Sequence, residues 1–88
     1  MASGPIKKIT SIANGNVLTS GDLNDLKGAS NAGFYYIQTG VAHSPQNWSW
    51  LLVMGGTGTV QVVFTQNKII LRAYTGSPLA WTDWVTIQ

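Results

Sequence analysis

The chain has 88 residues, enough for one domain that buries roughly two thirds of the surface its unfolded form exposes. It contains no cysteine, which removes disulfides, thiolate nucleophiles and thiolate metal ligands together. Five cations, the adjacent Lys7 and Lys8 and the scattered Lys27, Lys68 and Arg72, against three aspartates give a net charge of +2 and no basic stripe for phosphates, so nucleic acid is not an expected partner.

Residues 1–19 mix small, polar and β-branched types, with Ile6, Ile9, Ile12 and Val17 irregularly spaced around Asn14-Gly15-Asn16. They predict an extended arm with a turn at Asn14-Gly15, too poor in apolar residues to fold alone. Met1–Pro5 lack the hydrophobic core of a signal peptide. Ser20 to Gly28 is the one helical signal: Ser20 caps, Asp22 sits in the first turn, Lys27 lies near the end and Gly28 stops it. Leu23 and Leu26 share a face of this short N-terminal helix.

From Gly33 onward the pattern turns to β, and the only charges left are Lys68, Arg72 and Asp83. The first strand is centred on Phe34-Tyr35-Tyr36-Ile37. A loop through Ser44-Pro45-Gln46-Asn47 leads to the second, Trp48–Met54, which puts Trp48, Trp50, Leu52 and Met54 on one face and Leu51 and Val53 on the other. Apolar residues on both faces mark a central or interfacial strand. Gly55-Gly56-Thr57-Gly58 turns the chain into Thr59–Gln66, where Val60, Val62 and Phe64 oppose Gln61, Val63 and Thr65. Asn67-Lys68 leads to Ile69–Thr75, with Ile69, Leu71 and Ala73 opposing Ile70, Arg72 and Tyr74. Gly76-Ser77-Pro78 precedes the last strand, Ala80–Ile87. The fold class is mainly β: a small antiparallel meander with one short helix and an arm. The apolar run Leu51–Met54 is far below the roughly 20 residues that cross a bilayer, so membrane insertion is not expected.

Few side chains offer chemistry. Trp48, Trp50, Trp81 and Trp84 suit stacking on pyranose faces, although core or subunit packing is the default use of an indole. The pattern buries Trp50 and Trp84 and leaves Trp81, beside Pro78 and Leu79, exposed. Glycoside hydrolysis needs two carboxylates across a bond. Without glutamate only Asp22 and Asp25 pair by spacing, and a solvated or capping helix start explains them. Asp83, between two tryptophans, suits a sugar hydroxyl or a turn hydrogen bond. His43 has no second histidine, cysteine or glutamate with which to hold a metal, and no nucleophile–base motif surrounds it. Gly55–Gly58 lacks a phosphate loop's Lys-Ser/Thr ending and precedes a strand. No catalytic residue, metal site or cofactor is expected.

The order of motifs from Asp22 to Ile87 resembles the knob domains of R-type pyocin tail fibres and related bacteriophage tail fibres. The resemblance rests on Asp22-Leu23-Asn24-Asp25-Leu26, then Gly33-Phe34-Tyr35, the Pro45 loop before Leu51-Leu52-Val53, and Val60-Gln61-Val62. It ends with Arg72-Ala73-Tyr74-Thr75-Gly76 running into Trp81-Thr82-Asp83-Trp84. It departs at Ala42-His43-Ser44-Pro45, where Asn-x-Pro is expected, and at Ala80, where Ser or Thr is usual. The resemblance implies a virion tail component, homotrimeric along a fibre axis, that attaches to the bacterial surface after assembly in the host cytoplasm. Residues 1–19 then connect to a shaft and 20–88 form the knob.

Two versions follow. Either Trp81, Tyr74, Asp83 and Arg72 bind capsule or lipopolysaccharide sugar, or the knob is a spacer and other tail-fibre domains touch the receptor. With no exposed aromatic cluster marked by the pattern, the spacer is favoured. The alternatives are a free-standing carbohydrate-binding module and a non-catalytic domain of a tail-spike depolymerase.

Overall fold

Alternation in the four long runs is strong enough to decide the architecture: each has one face fit for a core, and short turns let consecutive strands pair. The computed structural model describes residues 16–87. Seven strands form one sheet: β1 (Val17–Leu18), β2 (Gly33–Ile37), β3 (Ser49–Gly55), β4 (Thr59–Phe64), β5 (Ile69–Thr75), β6 (Ala80–Trp81) and β7 (Val85–Thr86). The order is β1 to β6, with β7 beside β6 on the far edge of β5. All pairs are antiparallel except β1 with β2, which is parallel. The mainly β class holds, and the purely antiparallel expectation is corrected at that first strand.

Register sorts the sheet into two faces. The inner face carries the row Tyr35–Leu51–Val63–Ile70 and, beside it, Gly33–Val53–Gln61–Arg72. Leu51, Val53 and Val63 are buried there, with Ile37 beside Leu18 of β1 and Leu23 packed against the same cluster. The outer face carries Tyr36–Trp50–Phe64–Ile69, Phe34–Leu52–Val62–Leu71–Val85 and Met54–Val60–Ala73. None of these residues is charged, and Phe34, Trp50, Met54, Phe64 and Val85 are exposed. The expected burial of Trp50 is thus corrected: it lies open on this face, 39% exposed, against Tyr36 at 5.3 Å between ring centroids.

Over the inner face lies the segment expected to be a helix. It forms two 3-10 turns instead, Leu23–Asp25 and Ala29–Asn31. Gly21 and Gly28 bracket the first with positive φ, leaving too few residues for α-helical bonds to propagate. Asp22, not Ser20, is the cap, its carboxylate accepting from the Asn24 N–H at 2.8 Å. The sheet holds this segment through side chains. Gln61 Nε2 donates to the Leu23 and Leu26 carbonyls at 2.7 and 3.0 Å, and Thr59 Oγ1 accepts from the Gly28 N–H at 2.8 Å. Gly55 permits the close approach, because a β-carbon there would overlap the Gly28 carbonyl.

The arm and the last strand need correction as well. Residues 1–15, including the turn expected at Asn14-Gly15, lie outside the described residues. Val17 and Leu18 are not a free arm but strand β1, and Asn16 O and Leu18 O accept from Tyr36 and Gln38 N–H groups. Trp48 precedes its strand, with φ 57°. The β4–β5 hairpin turns at Gln66-Asn67, one residue earlier than expected, closed by Thr65 N–H to Lys68 O at 2.9 Å. The run Ala80–Ile87 is broken into β6 and β7.

Candidate functional site

The break between β6 and β7 creates the most structured polar region of the inner face. Trp81 pairs with Tyr74, and Val85 pairs with Leu71. On β5 two residues, Arg72 and Ala73, lie between those points; on the other side there are three, Thr82, Asp83 and Trp84. Thr82 still bonds Ala73, donating its N–H to Ala73 O at 2.8 Å and accepting the Ala73 N–H on Oγ1 at 2.9 Å. Asp83 and Trp84 together therefore oppose Arg72, which is a β-bulge. In a regular strand residues 81 and 84 would point to opposite faces. The extra residue brings both indoles to the inner side, one on each flank of Arg72.

Arg72 is the centre of the arrangement. Its guanidinium lies 4.0 Å from the Trp81 ring centroid and 4.6 Å from that of Trp84. Its Nε donates to Gln61 Oε1 at 2.9 Å, which links it through Gln61 to the 3-10 turn. Only 4% of the residue is exposed. Burial pulls its pKa below the ordinary arginine value while the Asp22 charge opposes that pull; arginine stays a cation throughout the working range. A buried cation needs partners, and here two aromatic faces and an amide oxygen supply them for the guanidinium faces and Nε, while Nη2 has no hydrogen-bond partner among the described residues.

The loop before β3 forms the opposite wall. His43 adopts φ 61°, a conformation that histidine tolerates better than most non-glycine residues. Its carbonyl accepts from Trp84 Nε1 at 2.9 Å, and its Nδ1 lies 2.8 Å from Asp22 Oδ1. The Asp22 carboxyl is held below the usual aspartate range, first by the Asn24 N–H and then by the His43 hydrogen bond; burial acts in the other direction. Backbone bonds between Leu23 N–H and Ala42 O, and between Ala42 N–H and Gly21 O, fix the two segments together.

Between these walls lies a surface cleft of about 370 Å³, lined by Asn24, His43, Ser44, Arg72, Thr82 and Asp83 together with both indoles. Three buried polar atoms have no hydrogen-bond partner among the described residues: Asn24 Oδ1, Arg72 Nη2 and Trp81 Nε1. All three belong to residues of this cleft.

No family model, curated protein or solved structure matches the chain. What the cleft can do therefore follows from its own atoms.

Of the four residues singled out for glycan, Arg72, Trp81 and Asp83 line the cleft. Tyr74 stands behind Trp81, with centroids 5.0 Å apart, and Lys27 lies 4.7 Å over its ring. Trp81 is half-buried rather than exposed, and Arg72 occupies one indole face while Tyr74 packs on the same ring. The stacking surface expected of it is already used. Asn24, His43 and Ser44 were not expected at a site. Asn24 read as helix interior and His43 as an exposed loop residue; only their contact across the fold joins them. Gln61 carried a usable signal, a polar residue on the face of β4 that the hairpin sets opposite Arg72. Among the described residues no three His, Cys, Asp or Glu side chains gather as metal ligands.

Proposed function

We propose that this chain is a knob-like module of a bacteriophage or phage-tail-like bacteriocin fibre, assembled as a homotrimer and contributing to attachment at the bacterial surface. The observation that carries this reading is the outer face of the sheet. It runs uninterrupted across β2 to β5 and onto β7, is apolar in every row, and holds no charge. Exposed apolar patches of this breadth mark interaction sites rather than ordinary surface. A partner recognised by charge has nothing to grip there. A second and third copy of the same chain supply the same apolar chemistry, and a closed ring of three covers each copy's face without leaving an open end for fibre growth.

The order of motifs that resembles tail-fibre knobs supports the same reading. The module acts as a structural element, with the inner-side cleft turned toward solvent in the assembly and free to touch receptor. No step of this function requires catalysis. Light scattering coupled to size-exclusion chromatography tests the proposal on the whole chain. A species near three times 9.4 kDa is expected. A monomer at all concentrations overturns the trimer; if that monomer binds saccharide, the chain is a free-standing carbohydrate-binding module instead.

A further inference from the structure

The cleft beside the bulge holds a donor–acceptor set with no use inside the fold. Arg72 Nη2 and Trp81 Nε1 are donors, Asn24 Oδ1 is an acceptor, and all three are buried without partners among the described residues. Buried polar groups are almost always paired, because each one left unsatisfied is costly. Exposed Asp83 adds a carboxylate that accepts no hydrogen bond among the described residues. The volume falls within the range of small-molecule clefts.

The charges discriminate among ligands. Arg72 alone is cationic by nature here, Asp83 is the one carboxylate in the lining, and the Asp22 charge acts on Arg72 from outside the cleft. A carboxylate or phosphate ligand would meet the Asp83 carboxylate as well as the one guanidinium, so the lining carries no net positive charge for it. A cation would meet the guanidinium and the Trp81 N–H donor. An apolar ligand would leave all three buried polar atoms unsatisfied. A neutral hydroxyl both donates and accepts, so adjacent hydroxyls can satisfy Arg72, Trp81 and Asn24 together.

We propose that this cleft binds a neutral, hydroxyl-rich saccharide edge-on, its hydroxyls bridging Arg72 Nη2, Trp81 Nε1 and Asn24 Oδ1, rather than by stacking on an indole face. The mode differs from ordinary aromatic sugar recognition because the guanidinium lies over both tryptophan rings. The proposal deepens the attachment reading and rests on it for biological meaning, but its test does not depend on the oligomeric state.

The indole N–H signals of Trp48, Trp50, Trp81 and Trp84 report the contact separately in nitrogen–proton correlation spectra. The whole chain is titrated with neutral oligosaccharides of glucose, galactose, N-acetylglucosamine and rhamnose, and in parallel with glucuronate and inorganic phosphate. A saturable shift of the Trp81 signal with at least one neutral sugar, in the millimolar to micromolar range, is expected. The variant Asn24→Ala keeps the backbone N–H bonded to Asp22 and should weaken that affinity about tenfold with an unchanged melting temperature. A stronger response to glucuronate or phosphate overturns the neutral class. A shift confined to Trp48 or Trp50 places binding elsewhere and overturns the site. Silence of Trp81 toward every probe also overturns it, while a trimeric mass in the same sample would leave the fibre reading intact.

Discussion

Arg72 and Gln61 show how few polar atoms hold the inner face together. Gln61 is fully buried and divides its amide between three partners: Nε2 serves two carbonyls of the 3-10 segment and Oε1 accepts from Arg72. Gln61→Leu keeps the volume but leaves the Leu23 and Leu26 carbonyls and Arg72 Nε without that partner. A loss of about 2–3 kcal/mol is expected by urea denaturation, since unsatisfied buried groups cost more than a formed bond gains. A change under about 0.5 kcal/mol would mean that solvent already reaches the turn. Arg72→Met should cost about as much, by orphaning Gln61 Oε1 and emptying the space between two indoles. Asp22 adds a pH dependence with a definite sign. Its folded pKa is depressed, so its contribution is fully present above the unfolded aspartate value, roughly 3.9, and fades as pH falls from there through the folded value. Asp22→Asn removes the ionisation and keeps a good capping side chain. Wild type should exceed this variant in stability at pH 6, and the gap should shrink below about pH 4; a gap constant from pH 6 to pH 2.5 would reject the linkage.

At the scale of elements, the strands were legible and the pieces laid over them were not. Alternation in Trp50–Met54, Val60–Phe64 and Ile69–Tyr74 sorts residues between faces without any knowledge of neighbours, because a two-residue period is local. The turns at Gly56–Gly58 and Gln66-Asn67 then set the register, and so place Gln61 opposite Arg72. The helix failed because capping residues and two leucines three apart are equally consistent with a single 3-10 turn, and the choice was made by Gln61, 35 to 38 residues away. The bulge was invisible for a related reason. Trp81 and Trp84 are three apart, so a regular strand separates them; only the offset in pairing with β5 brings them together. The candidate site was accordingly legible on the sheet side, in Arg72, Trp81 and Asp83, and illegible on the loop side, in Asn24 and His43. Gly55 tests the contact between the two layers. Its position at the end of β3 admits the Gly28 carbonyl only in the absence of a side chain, whereas Gly56, one residue on, has open space around it. Gly55→Ala should lower stability by about 2 kcal/mol or more through overpacking against backbone. Gly56→Ala should stay within about 0.5 kcal/mol. Equal effects would mean that the 3-10 segment yields freely.

On the scale of the whole molecule, the sheet has two faces and the chain covers one of them. Leu23, Leu26, Val41 and Trp84 close the inner face over Leu51, Val53 and Val63. Nothing among the described residues closes the outer one. A chain this small gains most of its stability from buried apolar area, so leaving one apolar face open forfeits a large share of what its composition offers. The proposed association with copies would recover that share, and its strength should then depend on the middle of the face. Val62 is the informative position, since β4 is central and Val62 is flanked there by Leu52 and Leu71. Val62→Lys places a charge at the centre of the contact while its long stem reaches solvent in a monomer. A variant that keeps the wild-type circular dichroism spectrum and runs near one third of the wild-type mass by light scattering is the expected result. Persistence of the trimer with lysine at position 62 would move the subunit contact off this face. Unfolding of the variant alone would leave the two explanations mixed, so Thr75→Lys, at the exposed end of β5, serves as the matched charge away from the centre. It should remain folded and trimeric, and the contrast between the two positions assigns the effect to the centre of the face rather than to added charge.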